Sequence, residues 1–262
     1  MVAGGGCDFA YASNYNVYTW QEQGTDWTIV AISDDMGGTQ AAAIRDDIKL
    51  TCPQDLEGLK LGLVPGGEVG VAFMRMCEMY DVDWDKIIKV PLQPADQLSA
   101  FENGEIDIIA CYEPWIVNAE EMGGRFLLSG TKCDIPGIPE DVDFMHIYSN
   151  ISCSQEMLEE HPDIVEKVIR ASERADEFIN ENREEAVKLL SEPFDIEEEK
   201  LAKIMDRNVY EFGVPENYKE NTLWLQDYLM QAGELSKKKD FDEFHDFSIL
   251  KEIMPEKYYL SE

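Results

Sequence analysis

Long apolar runs are missing from this sequence: none approaches the roughly 18 residues needed to cross a bilayer. Basic residues are scarce, 22 Lys and Arg against 54 Asp and Glu, for a formal net charge of -32. That balance excludes the basic footprint that nucleic acids and anionic membrane surfaces require. The acidic residues fall largely on helical patterns in the second half, as expected of a solvated face. Only three histidines occur, His146, His161 and His245, and none sits in an HExxH pattern or at zinc spacing from a cysteine. The six cysteines, Cys7, Cys52, Cys77, Cys111, Cys133 and Cys153, form no CxxC pair, so a zinc ribbon or a redox motif is not supported. Pairing among them is open from sequence, with free buried thiols favoured because Cys77 and Cys111 lie in apolar segments. There is no GxSxG elbow and no P-loop. No basic stretch followed by an apolar one stands at Met1, so no secretory leader is read there.

What is present is globular. Hydrophobic residues make up 44% and aromatics 10% of 262 residues, enough for one large or two ordinary domains. The most informative stretch is Asn103 to Trp115, NGEIDIIACYEPW. Asn103-Gly104 is a helix stop. Ile106 to Ala110 is apolar apart from Asp107, the signature of a strand buried on both faces. Tyr112-Glu113-Pro114-Trp115 breaks the strand and sets two aromatics and one carboxylate at its carboxyl end, where open α/β sheets bind ligands.

Around this stretch the chain alternates strand and helix. Strands are expected at Cys7–Ala12, Trp27–Ser33, Leu59–Val64, Lys86–Val90, Arg125–Leu128 and Phe144–Ile151, with Thr39–Ile44 as a crossing segment. Helices are expected at Val69–Tyr80, Gln97–Glu102 behind Pro94-Ala95-Asp96, and Trp115–Met122. This order argues a mainly parallel sheet with helices on both faces. From Ser154 the pattern turns all-helical, and Ile164, Val168, Ala171, Ala175, Phe178 and Ile179 mark an apolar stripe on a helix that starts at Pro162.

Two loops carry the chemistry. Pro65-Gly66-Gly67-Glu68-Val69-Gly70 joins a strand to a helix, and its glycines let backbone N–H groups approach an anion or a polar acceptor. The alternative is a plain turn, with Glu68 complementing the helix dipole. The second loop holds Glu113, which could serve as a general base, but no nucleophile or metal set accompanies it. Gly5 to Asn14 can be laid on Gly104 to Glu113, which pairs Ser13 and Asn14 with Tyr112 and Glu113 and suggests two lobes of like design. Tyr11, Tyr15, Tyr18, Trp20, Tyr112 and Trp115 with Asp34, Asp35, Asp96 and Glu113 could form an aromatic, acidic pocket for a cationic or planar heterocyclic ligand.

These residues carry a resemblance. Asp55-Leu56-x-Gly58 before a strand, a glycine-bearing loop into a helix, Ala100-x-x-x-Gly104-x-x-Asp107 and Glu113-Pro114 occur in that order. So arranged, the chain resembles the nitrate/sulfonate/taurine-type (NMT1/THI5-like) substrate-binding proteins of ABC importers, a group that includes binders of thiamine-pyrimidine precursors. Gly5 to Ile32 resembles the family's first-lobe strand and hinge region, and Asp246-Phe247-Ser248-Ile249-Leu250 its end. Family members carry a βαβ unit, a helix and a signal ahead of the Gly-x-x-Asp strand, so the sequence is expected to be an N-terminally truncated fragment.

The resemblance implies a two-lobed, periplasmic-binding-protein-like (type II) α/β fold with a helical tail. Lobe 1 is expected to hold residues 1–44 and 147–262, and lobe 2 residues 45–146, with crossings near Ala41–Arg45 and His146–Asn150. It implies an extracytoplasmic monomer, periplasmic or lipid-anchored, that captures a sulfonate, amine or pyrimidine-type molecule in an interlobe cleft and delivers it to an ABC permease. No cofactor, metal, nucleic acid or catalytic residue is expected. The ligand-binding residues are expected to be Ser13, Asn14 and Tyr15 in lobe 1, and Gly66, Gly67, Glu68, Val69, Asp96, Glu113 and Trp115 in lobe 2. Two other readings share the fold: a non-functional gene fragment, and a pyrimidine-precursor synthase-like enzyme. The second is disfavoured because Cys7-Asp8-Phe9-Ala10 stands where such enzymes carry a CCCFC-type motif.

Overall fold

Seven consecutive buried residues, Trp27 to Ser33, hold the first sheet together, and a run apolar on both faces is what lets a strand sit inside a layered domain. The computed structural model describes residues 2–64 and 67–260. Its strands are β1 (Phe9–Ser13), β2 (Trp27–Asp35), β3 (Gln40–Arg45), β4 (Lys60–Leu63), β5 (Ile88–Pro91), β6 (Ile108–Tyr112), β7 (Gly124–Ser129) and β8 (Tyr148–Ser154). The first four helices are α1 (Asn14–Glu22), α2 (Val69–Met79), α3 (Pro94–Glu102) and α4 (Trp115–Glu121). The later ones are α5 (Gln155–Glu160), α6 (Pro162–Glu181), α7 (Arg183–Phe194), α8 (Glu198–Met205), α9 (Tyr218–Ala232) and α10 (Ser248–Ile253).

The chain divides into two compact units. Unit 1 takes the residues up to Asp35, Ile147–Phe194 and those from Val209 on; unit 2 takes Met36–His146 and Asp195–Asn208. Residues 36–44 and 195–208, placed in the first lobe on sequence, therefore group with the second unit.

Unit 1 is built on a three-stranded antiparallel sheet, β1-β8-β2. Ser13 pairs with Ser149 and Phe9 with Cys153, while β2 meets the other side of β8 through two bulges. Side chains of β8 fasten the edge strand: Asn150 Nδ2 donates to the Ala12 carbonyl at 3.1 Å, and Ser152 Oγ to that of Ala10 at 3.2 Å. Ile29, Ile32, Ile151, Val165, Ile169, Tyr218, Leu229 and Phe244 fill the core. His245 lies among these rings. Its Nδ1 is 2.6 Å from the Phe241 carbonyl, so that nitrogen carries the proton, and Nε2 accepts from the Tyr218 hydroxyl at 3.0 Å. Burial pushes the His245 pKa down to about 3, so the ring stays neutral.

Unit 2 holds a five-stranded sheet in the order β5-β4-β6-β3-β7. β4 runs parallel to β5 and β6, while β3 is antiparallel to β6 and β7. The expected mainly parallel sheet is therefore replaced by one antiparallel and one mixed sheet. The physical reason is β3. Thr39–Ile44 is a central strand rather than a crossing segment, with Ala41, Ala42, Ala43 and Ile44 all fully buried. Three alanines leave space for α2 and α4 to pack close to the strand, and the small side chains that look like a linker in sequence are a helix-packing surface in the fold.

The short motifs behind the family resemblance are mostly fastenings. Asp55 accepts from the Thr51 and Cys52 amides, Gly58 turns at φ 89°, and the Asp107 carboxylate accepts from the Lys60 amide at 2.8 Å to align β6 with β4. Gly104 closes α3 at φ 71°, donating to the Phe101 carbonyl at 3.1 Å.

Three more expectations change. Helix α1 is absent from the sequence reading, since NYNVYTWQE is rich in poor helix formers; Ser13 caps it, accepting from the Asn16 amide. The final strand lies at Tyr148–Ser154, after Phe144 instead of from it. On α6 the buried face is Val165, Ile169, Ser172 and Asp176, so Ile164, Ala171 and Ala175 are exposed. A serine and an aspartate occupy positions that an apolar count skips.

Asp176 is 6% exposed and accepts from Ser33 Oγ at 3.4 Å. Burial, followed by the charge of Asp34, pushes its pKa up to about 7, with Glu173 adding to the rise and Lys257 opposing it. The folded state therefore holds this proton more tightly than the unfolded chain. Its stabilising contribution is full below the unfolded value of 3.8 and is lost as pH rises through about 7. His245 acts oppositely, losing stability as pH falls from 6.5 toward about 3.

Two outcomes follow. Ile169→Ala should cost about 2–5 kcal/mol in denaturant unfolding, and Ile164→Ala less than about 1 kcal/mol; equal costs would put the buried face of α6 elsewhere. Asp176→Asn should raise the thermal midpoint by a few degrees at pH 8 and make no difference near pH 4, where the wild-type carboxyl is already protonated.

Candidate functional site

Strands β5, β4 and β6 are neighbours and parallel, so their carboxyl ends form one edge of the unit 2 sheet. Three strand-to-helix corners lie along that edge: β5 to α3, β4 to α2 and β6 to α4. This is where ligands bind in open α/β sheets.

The β4–α2 corner holds Gly67, Glu68 and Val69, while Gly66 lies outside the described residues. The Gly67 amide donates back to the Val64 carbonyl at 2.8 Å, and a side chain at residue 67 would come within 2.9 Å of that oxygen. Glu68 is the N-cap residue of α2, and Val69 is 1% exposed, so at these positions the backbone, not the side chain of Val69, is what a ligand would meet. The first turn of α2 carries no further acidic residue, so Glu68 at the N-cap is the carboxylate nearest that helix end.

The β5–α3 corner holds Asp96, exposed on the first turn of α3. Beside it is Gln97, which the sequence reading did not single out and which is fully buried. Its Nε2 donates to the Leu92 carbonyl at 3.0 Å and its Oε1 accepts from the Ala110 amide at 3.1 Å, joining the β5–α3 corner to β6. Gly62 makes this possible, because a Cβ there would lie 2.6 Å from Ile106 Cδ1 and 3.2 Å from Gln97 Oε1.

The β6–α4 corner holds Glu113 and Trp115. The Glu113–Pro114 peptide is cis. Trp115 is half-buried against Ile109, Ile116 and their neighbours. The Glu113 side chain is 4% exposed and is used up within the fold. One oxygen accepts from the Val117 amide at 3.1 Å, capping α4, and the other is ion-paired with Arg207. Arg207 also donates to Glu120 Oε1 at 2.7 Å and sits 5.4 Å from the Phe126 ring. Lys203 pairs with Glu120, and Lys200 with Glu121 at 2.8 Å. Burial pushes the Glu113 carboxyl above the usual range, while Arg207 and the Val117 amide pull it down by less.

The expected acidic, aromatic pocket is thus corrected in its main member: Glu113 already has a cation and cannot offer a free charge to a ligand. Tyr18 is fully buried and Trp20 packs edge-on against Trp27 at 5.8 Å, so both serve the core of unit 1. Arg207 was missed because it follows a helix far along the chain. The signal was there, since Lys200, Lys203 and Arg207 repeat at spacings of three and four in a chain poor in basic residues.

In unit 1, Ser13, Asn14 and Tyr15 form the β1–α1 corner. Ser13 caps α1, Asn14 is 2% exposed, and Tyr15 is half-buried against the core. The echo noted in sequence is real at this level, since Ser13-Asn14 and Tyr112-Glu113 each end a strand and open onto a helix. The structure brings Gly67–Val69, Asp96, Glu113 and Trp115 to one sheet edge of unit 2, and Ser13–Tyr15 to a corner of unit 1. Among the described residues, all six cysteines are free, no set of three or more His, Cys, Asp or Glu is arranged to hold a metal, and no helix is long and apolar enough to cross a membrane.

A family model described as NMT1/THI5 like matches residues 1–186. A Bacillus subtilis (strain 168) protein named for aliphatic sulfonate binding is 23% identical over 201 residues, which are 76% of this chain and 57% of that protein. The chain therefore spans just over half the length of that relative. Among solved structures, the periplasmic aliphatic sulphonate binding protein of Escherichia coli superposes with a TM-score of 0.78 at 18% identity, covering 93% of this chain and 81% of that one. A desulfurization enzyme superposes at 0.72 and 12% identity, over 98% and 87%. At these identities the likeness establishes a fold, that of the periplasmic binding proteins, which also serves an enzyme. With well over half of its residues matched by the family model, the chain belongs to the NMT1/THI5-like family.

Proposed function

We propose that this protein is the extracytoplasmic substrate-binding component of an ABC importer and that its ligand is a small organic anion of the sulfonate class. The observation that carries the reading is the sheet edge of unit 2. The first turns of α2 and α4 carry no acid; Glu68 stands at the N-cap of α2, and Glu113, buried at the α4 corner, is already paired with Arg207. An edge of that kind favours an anion over a cation. Family membership and the sulfonate-binding names of the relatives support the same class.

In this reading the two compact units are the two lobes. Unit 2 contributes the backbone amides of Glu68 and Val69, the Trp115 ring against the ligand's apolar part, and Asp96 at the rim. Unit 1 contributes Ser13, Asn14 and Tyr15. Glu113 acts indirectly, by fixing its corner. In this reading the ligand leaves unchanged and a membrane permease receives it. The protein works as a monomer outside the cytoplasmic membrane and handles no nucleic acid.

Calorimetric titration with a panel of alkanesulfonates, amines and pyrimidines is expected to give saturable binding for a sulfonate, recovered intact by mass spectrometry. Binding of an amine or pyrimidine alone would reject the anion assignment, and a chemically altered ligand would favour the enzyme. Trp115→Ala is expected to weaken the bound member about tenfold or more, whereas Trp224→Ala on α9 leaves affinity within about twofold. Equal losses would place the site elsewhere.

A further inference from the structure

The sheet of unit 2 is complete by Ser129, yet fourteen residues from the helical tail, Asp195–Asn208, belong to the same unit. Within that segment, Lys200, Lys203 and Arg207 lie along one side of α8 and its exit, and each meets a carboxylate of the β6–α4 region. The pairs are Lys200 with Glu121, Lys203 with Glu120, and Arg207 with both Glu113 and Glu120. Three cations answer three anions.

The innermost contact differs in kind from the outer ones. Arg207 and Glu113 are 15% and 4% exposed, while Lys203 and Glu121 are half-exposed. Exposed pairs contribute little; a carboxylate removed from water needs its partner. Glu113 is also a junction. Its amide donates to the Thr39 carbonyl at 3.1 Å, ahead of β3, and its carboxylate caps α4 through Val117. Arg207 reaches the junction because residue 38 is glycine: any Cβ there would run into the Arg207 carbonyl oxygen. A planar guanidinium serves two carboxylates here and lies near the Phe126 ring, a set of contacts that a lysine cannot reproduce.

We propose that Asp195–Asn208 is an ionic clamp on unit 2, with Arg207 as the positioning residue that fixes the Glu113–Trp115 corner for ligand capture. The corner carries the wall that the proposed function assigns to the ligand, so the capture half of the inference rests on that reading; the clamp itself does not. Without Arg207, Glu113 must seek water or a proton; turning to water releases the Val117 amide, and a protonated carboxyl caps it more weakly than a carboxylate, so either response loosens the start of α4.

The test uses the full chain and amide hydrogen exchange. Arg207→Ala should speed exchange of peptides spanning residues 115–121 about tenfold or more, with unit 1 peptides across β2 and β8 unchanged. Arg207→Lys should fall between Arg207→Ala and wild type. Glu113→Gln, which keeps the shape and removes the charge, should loosen 198–205 as well as 115–121. Leu201→Ala serves as a control, because it weakens the packing of α8 without touching a charge; it should loosen 198–205 and leave 115–121 close to wild type. Unchanged exchange at 115–121 in Arg207→Ala, or the same exchange in Leu201→Ala as in Arg207→Ala, would overturn the clamp. Should Arg207→Ala fail to fold, Arg207→Lys and Glu113→Gln decide on the same peptides. Calorimetry with 1-butanesulfonate then tests capture: about a tenfold loss of affinity is expected in Arg207→Ala, with partial rescue in Arg207→Lys, and equal affinity would overturn the positioning role. If wild type binds no sulfonate while exchange responds as expected, the clamp stands and the sulfonate reading fails.

Discussion

A carboxylate with 4% of its side chain exposed has to be answered by a charge or a proton, and Glu113 is answered by Arg207. Much of unit 2 is arranged so that this can happen. Gly38 has no side chain because the Arg207 backbone occupies the space. The Thr39 carbonyl holds the Glu113 amide, and α4 begins where the carboxylate can reach the Val117 N–H. Glu120, one face further along α4, shares the same guanidinium. A residue that reads in sequence as a ligand's counter-charge is a counter-charge for the protein's own tail.

The fold was legible where a local rule decided it. Ser154 before Gln155, Pro162 opening α6, Gly104 closing α3 and the apolar runs at β2, β4 and β6 all follow from capping and periodicity. It was not legible where tertiary packing set the outcome. Ala41–Ala43 carry no size or pattern that distinguishes a linker from a central strand until two helices are packed against them. NYNVYTWQE has little helix propensity of its own and is helical because Ser13 caps it and Val17 and Tyr18 have a core to enter. On α6, Ser172 and Asp176 are buried through partners in other segments, Tyr11 and Ser33, which no periodicity includes.

The candidate site divides in the same manner. That corners stand at the carboxyl ends of β4 and β6 was readable, because a strand broken by Glu113-Pro114 or by glycines advertises a corner. Its electrostatics were not, because they depend on residues nearly a hundred positions away. The same holds for Gln97, whose position inside α3 reveals nothing of the two backbone groups it joins. A net charge of -32 is likewise a poor guide to one edge: the surface can be strongly acidic while a corner within it is balanced residue by residue.

The family match ends at residue 186, before α8 begins at Glu198. The region by which the chain is recognised therefore excludes the cations on which the β6–α4 corner relies. A chimera that joins the recognised region of this protein to the tail of a relative would keep every strand of both sheets and still inherit a foreign set of charges opposite Glu113, Glu120 and Glu121. Compatibility between relatives, in evolution or in engineering, is then decided by a seam that lies outside the region the family model matches, and the unit of exchange is the sheet together with its borrowed helix.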